Sequence, residues 1–218
     1  MRTGILGGTF NPIHLAHLRI AEEVREVCAL EQILFIPAAL PPHKSVAEDV
    51  PFAHRLAMTE LAVADNRHFR VSDLEGRRAG KSYSVHTLEI LRREHPQDEY
   101  FFIVGLDSFR DITSWKEYRR LFELANIVVA ARPGSPAGEP LDLLPVAIRA
   151  DFCYDYAAKT LQHRSGTSVI FLAETRLDIS STRIRRMVAE GRSIRYIVPA
   201  AVENYIIRHG FYRGQERS

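Results

Sequence analysis

The segment Thr3-Gly4-Ile5-Leu6-Gly7-Gly8-Thr9-Phe10-Asn11-Pro12-Ile13-His14-Leu15-Ala16-His17 constrains this chain more than any other. A short β-like run feeds a glycine pair and a turn. A helix pattern then begins, with two histidines in its first turn. Glycines allow a ligand to approach the backbone closely, and unpaired N–H groups at a helix start favour an anion. His14 and His17, at i and i+3, share one edge of that helix. Gly7, Gly8, Thr9, Phe10, His14 and His17 are therefore candidate phosphate-binding residues at the carboxyl edge of a sheet. An H-x-x-H pair also raises a metal, but the helical zinc pattern H-E-x-x-H is absent, and no metal ligands are expected from the protein.

The rest of the chain alternates in the same way, which predicts a doubly wound α/β fold with a mostly parallel sheet. Strands are expected at Thr3–Leu6, Gln32–Ile36, Phe69–Ser72, Tyr100–Val104, Asn126–Ala131 and Ser168–Leu172. Helices are expected at Leu15–Cys28, Phe52–Ala64, Tyr83–His95, Trp115–Leu124, Ser181–Glu190 and Pro199–Arg208, so the C-terminal end reads as helical. The stretch PGSPAGEP at 133–140 reads as a loop, and 135–165 carries no assigned role. One domain over 1–218 is the expectation.

Composition narrows the function classes. Twenty-nine basic against 27 acidic residues give a net charge of +2, too little for a nucleic-acid coat. The longest apolar run, Ala125–Ala131, is far below the ~20 residues of a membrane span. Two cysteines without a C-x-x-C pair exclude a disulfide framework and fit a reduced cytoplasmic setting. Only four of the basic residues are lysines, and arginine is the better fork for phosphate.

Two further constellations could meet phosphate. Pro41-Pro42-His43-Lys44 follows the second strand, and Lys44 could act as a point charge on phosphate. In Asp178-Ile179-Ser180-Ser181-Thr182-Arg183-Ile184-Arg185-Arg186 the serines suit an N-cap. The arginines there oppose the helix dipole unless a polyanion is bound. On that reading, removing Arg185 should leave stability without ligand unchanged or slightly raised.

In this order, the segments resemble the nucleotidyltransferase α/β-phosphodiesterase superfamily, whose marks are H-x-G-H and a late I-S-S-T-x-I-R. KSYSVHTLEIL, FIVGLDSF, ANIVVAARPG and VPAAVENYI extend the likeness along the chain, and PPHK, SYSVHTL and GLDSF with Trp115 narrow it to the bacterial adenylyltransferases that act on nicotinate mononucleotide. The resemblance implies a Rossmann-like nucleotidyltransferase fold. It also implies ATP and nicotinate mononucleotide as substrates, Mg²⁺ with the ATP, and deamido-NAD and pyrophosphate as products. His14, His17, Lys44 and Arg185 would be catalytic. Gly7, Gly8, Thr9, Phe10, Arg132, Ser180, Ser181 and Thr182 would join His14, His17 and Arg185 around ATP. Lys44, Tyr83, Ser84, His86, Thr87, Asp107 and Trp115 would frame the nicotinate nucleotide. The chain departs from the pattern at Asn11, where aspartate is common, at Ala16 for the H-x-G-H glycine, and at His86, where aspartate is usual.

The attacking 5′-phosphate is ionised at neutral pH, so no general base is expected; positioning and charge neutralisation suffice. The other readings are an adenylyltransferase for NMN or phosphopantetheine, or a module that senses ATP without turning it over. A homo-oligomer stays open.

Overall fold

The computed structural model describes residues 1–41, 50–131, 140–157, 160–173 and 177–213. Lys44 and Arg132 fall outside them.

Eight strands form one sheet: β1 (Arg2–Gly8), β2 (Gln32–Pro37), β3 (Phe69–Val71), β4 (Glu99–Gly105), β5 (Asn126–Ala131), β6 (Phe152–Asp155), β7 (Thr160–His163) and β8 (Ser168–Ala173). Their order is β3-β2-β1-β4-β5-β8-β7-β6. β1 to β5 and β8 run parallel, whereas β6 and β7 close one edge antiparallel. Helices α1 (Leu15–Val27), α2 (Phe52–Val63), α3 (Ser84–Glu94), α4 (Leu106–Arg110), α5 (Tyr118–Leu124), α6 (Ser181–Ala189) and α7 (Ala200–His209) cover both faces.

Alternation along each strand splits the core in two. Leu6, Phe35, Phe101 and Ile103 pack on the face that carries Ala21, Met58, Ile184 and Val202. Ile5, Ile36, Tyr100, Phe102 and Val104 face the opposite layer with Leu88, Phe109 and Leu121. With both faces covered, the central strands read as continuous apolar runs.

The chain reverses direction of growth between β1 and β4, so their carboxyl ends part there. This switch point is where doubly wound sheets open a ligand crevice.

One expectation is corrected and two elements are new. Trp115 does not begin a helix. It sits in extended conformation after a 3₁₀ turn at Ile112–Ser114, and Glu117, with φ of 50°, breaks the path before α5 begins. The helix α4 was not foreseen, because five residues are too few to show a period. In the stretch to which the sequence assigns no role, short 3₁₀ turns at Pro140–Leu143 and Val146–Asp151 lead into the β6–β7 hairpin.

Candidate active site

A cleft of about 900 Å³ opens at the switch point. Its floor is Gly7, Gly8 and Thr9 at the end of β1, with Phe102 to Gly105 of β4 beside them. A methyl group at Gly8 would stand 2.9 Å from the Phe10 ring, so glycine is what lets the chain turn there. Phe10 itself is 2% exposed and has φ of 48°, and it holds the turn from beneath the cleft.

That turn delivers His14 as the N-cap of α1. The His14 N–H donates to Nδ1 of His17 at 3.2 Å, and the two rings stack with centroids 3.7 Å apart. Phe10 meets His17 edge-on at 5.1 Å. Because Nδ1 of His17 accepts, the neutral ring carries its proton on Nε2, where it can donate to an anion. Burial lowers the His14 pKa from 6.5 to about 4, and burial together with His14 drives His17 well below its ordinary value. Both are neutral donors at pH 7. The buried Nδ1 of His14 faces the N–H of His17 in a capping box and makes no well-formed hydrogen bond among the described residues.

Across the cleft lie Leu177 to Ser181, leading into α6. Ser180 caps that helix by accepting from the Arg183 N–H at 3.2 Å. Ser181 Oγ donates to the Pro12 carbonyl at 2.9 Å, and an Arg185 guanidinium nitrogen donates to the Asn11 carbonyl at 2.8 Å. The start of α6 is thus stitched to the turn that positions the histidines. Thr182 and Arg185 do not line the cleft; Thr182 is exposed and accepts from Arg185 at 3.3 Å. The expectation that losing Arg185 costs no stability without ligand is therefore revised: its charge is already spent on a carbonyl of the loop.

Neither α1, α3 nor α6 carries an acidic residue in its first turn. Their positive dipole ends are left for an anion.

Beside the cleft is a smaller hollow of about 480 Å³ lined by Tyr83, Ser84, Ser108, Trp115 and Lys116 among others. Ser84 and Trp115 border both spaces, and Trp115 lies edge-on to Phe102 at 6.3 Å, half-buried rather than in the core. Tyr83 is the N-cap of α3, and the first N–H groups of that helix, at Ser84 and Val85, have no partner among the described residues. Asp107 is on the rim of the larger cleft. His86 lies against Tyr83 at 5.7 Å and lines neither space. Thr87 is buried and donates to Oε1 of Glu75 at 2.7 Å.

The sequence reading missed several residues. Glu75 lines the cleft while 8% exposed, and its Oε2 has no hydrogen-bond partner. Arg55, buried on α2, donates to the carbonyls of Thr9 and Ala38, both at 2.7 Å, and to Ala39 at 3.3 Å. Ser82 accepts from the N–H groups of Ala39 and Leu40. An arginine inside an apolar helix face was the one available signal, since such a charge is buried only where acceptors await it.

A Rossmann-type switch-point crevice ringed by helix starts, with a neutral histidine pair on its floor, defines an α/β protein that handles phosphoryl groups. The family is more specific: residues 5–187 match the cytidylyltransferase-like model, and the chain belongs to that family. A protein of Syntrophotalea carbinolica named "Probable nicotinate-nucleotide adenylyltransferase" is 67% identical over 218 residues, 100% of either chain. One of the same name from Geobacter sulfurreducens is 60% identical over 97% of this chain and 98% of its own. The fold matches Plasmodium falciparum nicotinic acid mononucleotide adenylyltransferase complexed with NaAD, at a TM-score of 0.74 and 20% identity over 97% of each chain.

Proposed function

We propose that this chain is a nicotinate-nucleotide adenylyltransferase of NAD biosynthesis. It transfers the adenylyl group of ATP to nicotinate mononucleotide, giving deamido-NAD and pyrophosphate. The observation that carries the reading is the stacked, desolvated histidine pair at the start of α1, over the switch-point cleft. The 67% identity over the full chain supports the same substrate pair.

In the reaction a 5′-phosphate oxygen of the mononucleotide forms a bond to the α-phosphorus. The bond from that phosphorus to the bridging oxygen breaks, and pyrophosphate leaves with the electron pair. The chain's task is alignment and charge neutralisation, since the nucleophile needs no base. His17 Nε2–H and His14 meet the α-phosphate, while Gly7, Gly8 and Thr9 allow close backbone approach. Ser180 and Ser181 receive the remaining phosphates at the α6 start, with Thr182 and Arg185 behind them. By the resemblance, Lys44 adds a charge on phosphate and a contact to the nicotinate nucleotide, and Arg132 flanks ATP; both lie outside the described residues. Trp115, Tyr83, Ser84 and Asp107 frame the nicotinate nucleotide, with the α3 N–H groups facing its carboxylate; His86 and Thr87 support them from α3.

Adenylyl transfer from ATP calls for a divalent metal. We assign that metal as Mg²⁺ carried in on the ATP, which keeps several of its waters. No described helix is long and apolar enough to cross a membrane. Cys28 and Cys153 are both free, as a reduced cytoplasmic setting would keep them. The single continuous sheet supports one domain over 1–218.

The test supplies the purified chain with MgATP and nicotinate mononucleotide. Equal amounts of pyrophosphate and deamido-NAD are expected. ATP binding with no product would favour the sensing module, and product only with phosphopantetheine would move the chain elsewhere in the superfamily.

A further inference from the structure

The turn from β1 to α1 is gripped at its main chain from several sides. The Gly8 carbonyl accepts from Ala38 at 2.8 Å, Thr9 from Arg55, Asn11 from Arg185 and Pro12 from Ser181. One contact instead reaches a side chain. The Tyr212 hydroxyl donates to Oδ1 of Asn11 at 2.6 Å, joining residues 201 apart in sequence. Asn11 is 2% exposed.

The tail is braced to make that contact. Gly210 caps α7 in the left-handed region, and the Phe211 N–H bonds the Ile206 carbonyl at 3.2 Å. Phe211 packs edge-on to His54 at 4.9 Å and stacks on His209 at 5.5 Å. Tyr212 then adopts φ of 63°, an uncommon conformation for a bulky residue. Such strain persists where the surroundings over-determine it, and it gathers at functional sites.

We propose that Tyr212 is a positioning residue for adenylyl transfer: its hydroxyl latches Asn11 and so fixes the turn that sets the His14–His17 stack. The turnover part of this claim rests on the function proposed above. The competing role is a plain fastening of the C-terminal tail, in which the ring matters and the hydroxyl does not.

Tyr212→Phe separates the two, because it keeps the ring and removes one hydrogen bond. In folded protein, kcat should fall about five- to twenty-fold with the KM for ATP within twofold, a loss on the scale of one bond or slightly more. In an Asn11→Leu background the Asn11 acceptor is gone, so adding Tyr212→Phe should cost clearly less than it does in the wild-type chain. A further loss of the same size there, or wild-type kcat in Tyr212→Phe, overturns the latch. The imidazole NMR signals of His14 and His17 give a readout that needs neither turnover nor the Asn11 variant. They should shift in Tyr212→Phe, and unmoved signals overturn the proposal. If the wild-type chain makes no deamido-NAD, the functional reading fails while the imidazole signals still judge the latch.

Discussion

The starts of α1 and α6 look alike in sequence and differ in state. Each follows a turn, lacks an acid in its first turn and carries basic side chains. At α1 the histidines are neutral and desolvated, and Nδ1 of His14 makes no well-formed hydrogen bond among the described residues. At α6 the polar groups are occupied: Ser180 caps the helix, while Ser181 and Arg185 hold the carbonyls of the turn beneath α1. Hydrogen bonds already made at α6 hold the shape of the neighbouring turn whether or not a ligand is present. Under the proposed function the α1 start meets the reacting phosphate, and the α6 start both takes phosphate and buttresses that turn.

The largest effect should come from the α1 side. His17→Ala should lower kcat by a factor on the order of 10²–10³, as loss of one preorganised oxyanion donor does. Its circular dichroism and melting curve should remain those of a folded protein. A folded variant with near-normal turnover would shift the chemistry to α6.

The same side should respond to pH. His14 titrates near 6.5 when unfolded and at about 4 when folded, so its neutral form favours the native state. Stability from this group is complete above pH 6.5 and is lost as pH falls toward 4, up to about 3 kcal/mol. Denaturant melts of the ligand-free protein should show the decline, and His14→Asn should flatten it. An unchanged slope in that variant would mean the decline arises elsewhere.

On the α6 side the effects are smaller and of mixed kind. Arg185→Ala should weaken ATP binding and also destabilise the ligand-free protein by about 1–2 kcal/mol, because a guanidinium leaves the Asn11 carbonyl. Calorimetry and melting measured together would detect both. Loss of ATP affinity without loss of stability would break the buttress.

Ser181→Ala should cost about 0.5–1.5 kcal/mol by releasing the Pro12 carbonyl. A stability unchanged within error would remove Ser181 from the buttress and leave it a cleft residue only.

Local features of the sequence carried the parallel body of the fold. Apolar runs fixed the central strands to within a residue or two, and Asn126–Ala131 matches β5 at both ends. The β6–β7 edge was not legible because its strands are four residues each, too short to show a reliable alternation. At the site, the glycine pair, both histidines and Ser180–Ser181 were legible because a helix start declares itself through neighbouring residues. Lys44 and Arg132 lie outside the described residues, so their placement rests on the resemblance. Arg55, Glu75 and Tyr212 were not legible. Their roles depend on partners 46, 12 and 201 positions away, and no spacing rule encodes such meetings.

The central claim is that the cleft takes a nucleotide bearing a carboxylate. The α3 start sets its N–H groups at Ser84 and Val85 beside the hollow of Trp115 and Tyr83, with no acid in its first turn. Charge-assisted bonds are about twice as strong as neutral ones, and a helix start adds a favourable dipole. Initial rates with nicotinate mononucleotide and its amide, measured side by side at saturating MgATP, test this most directly. A kcat/KM for the acid higher by about 10²-fold or more is the predicted result. Equal values for acid and amide would contradict it.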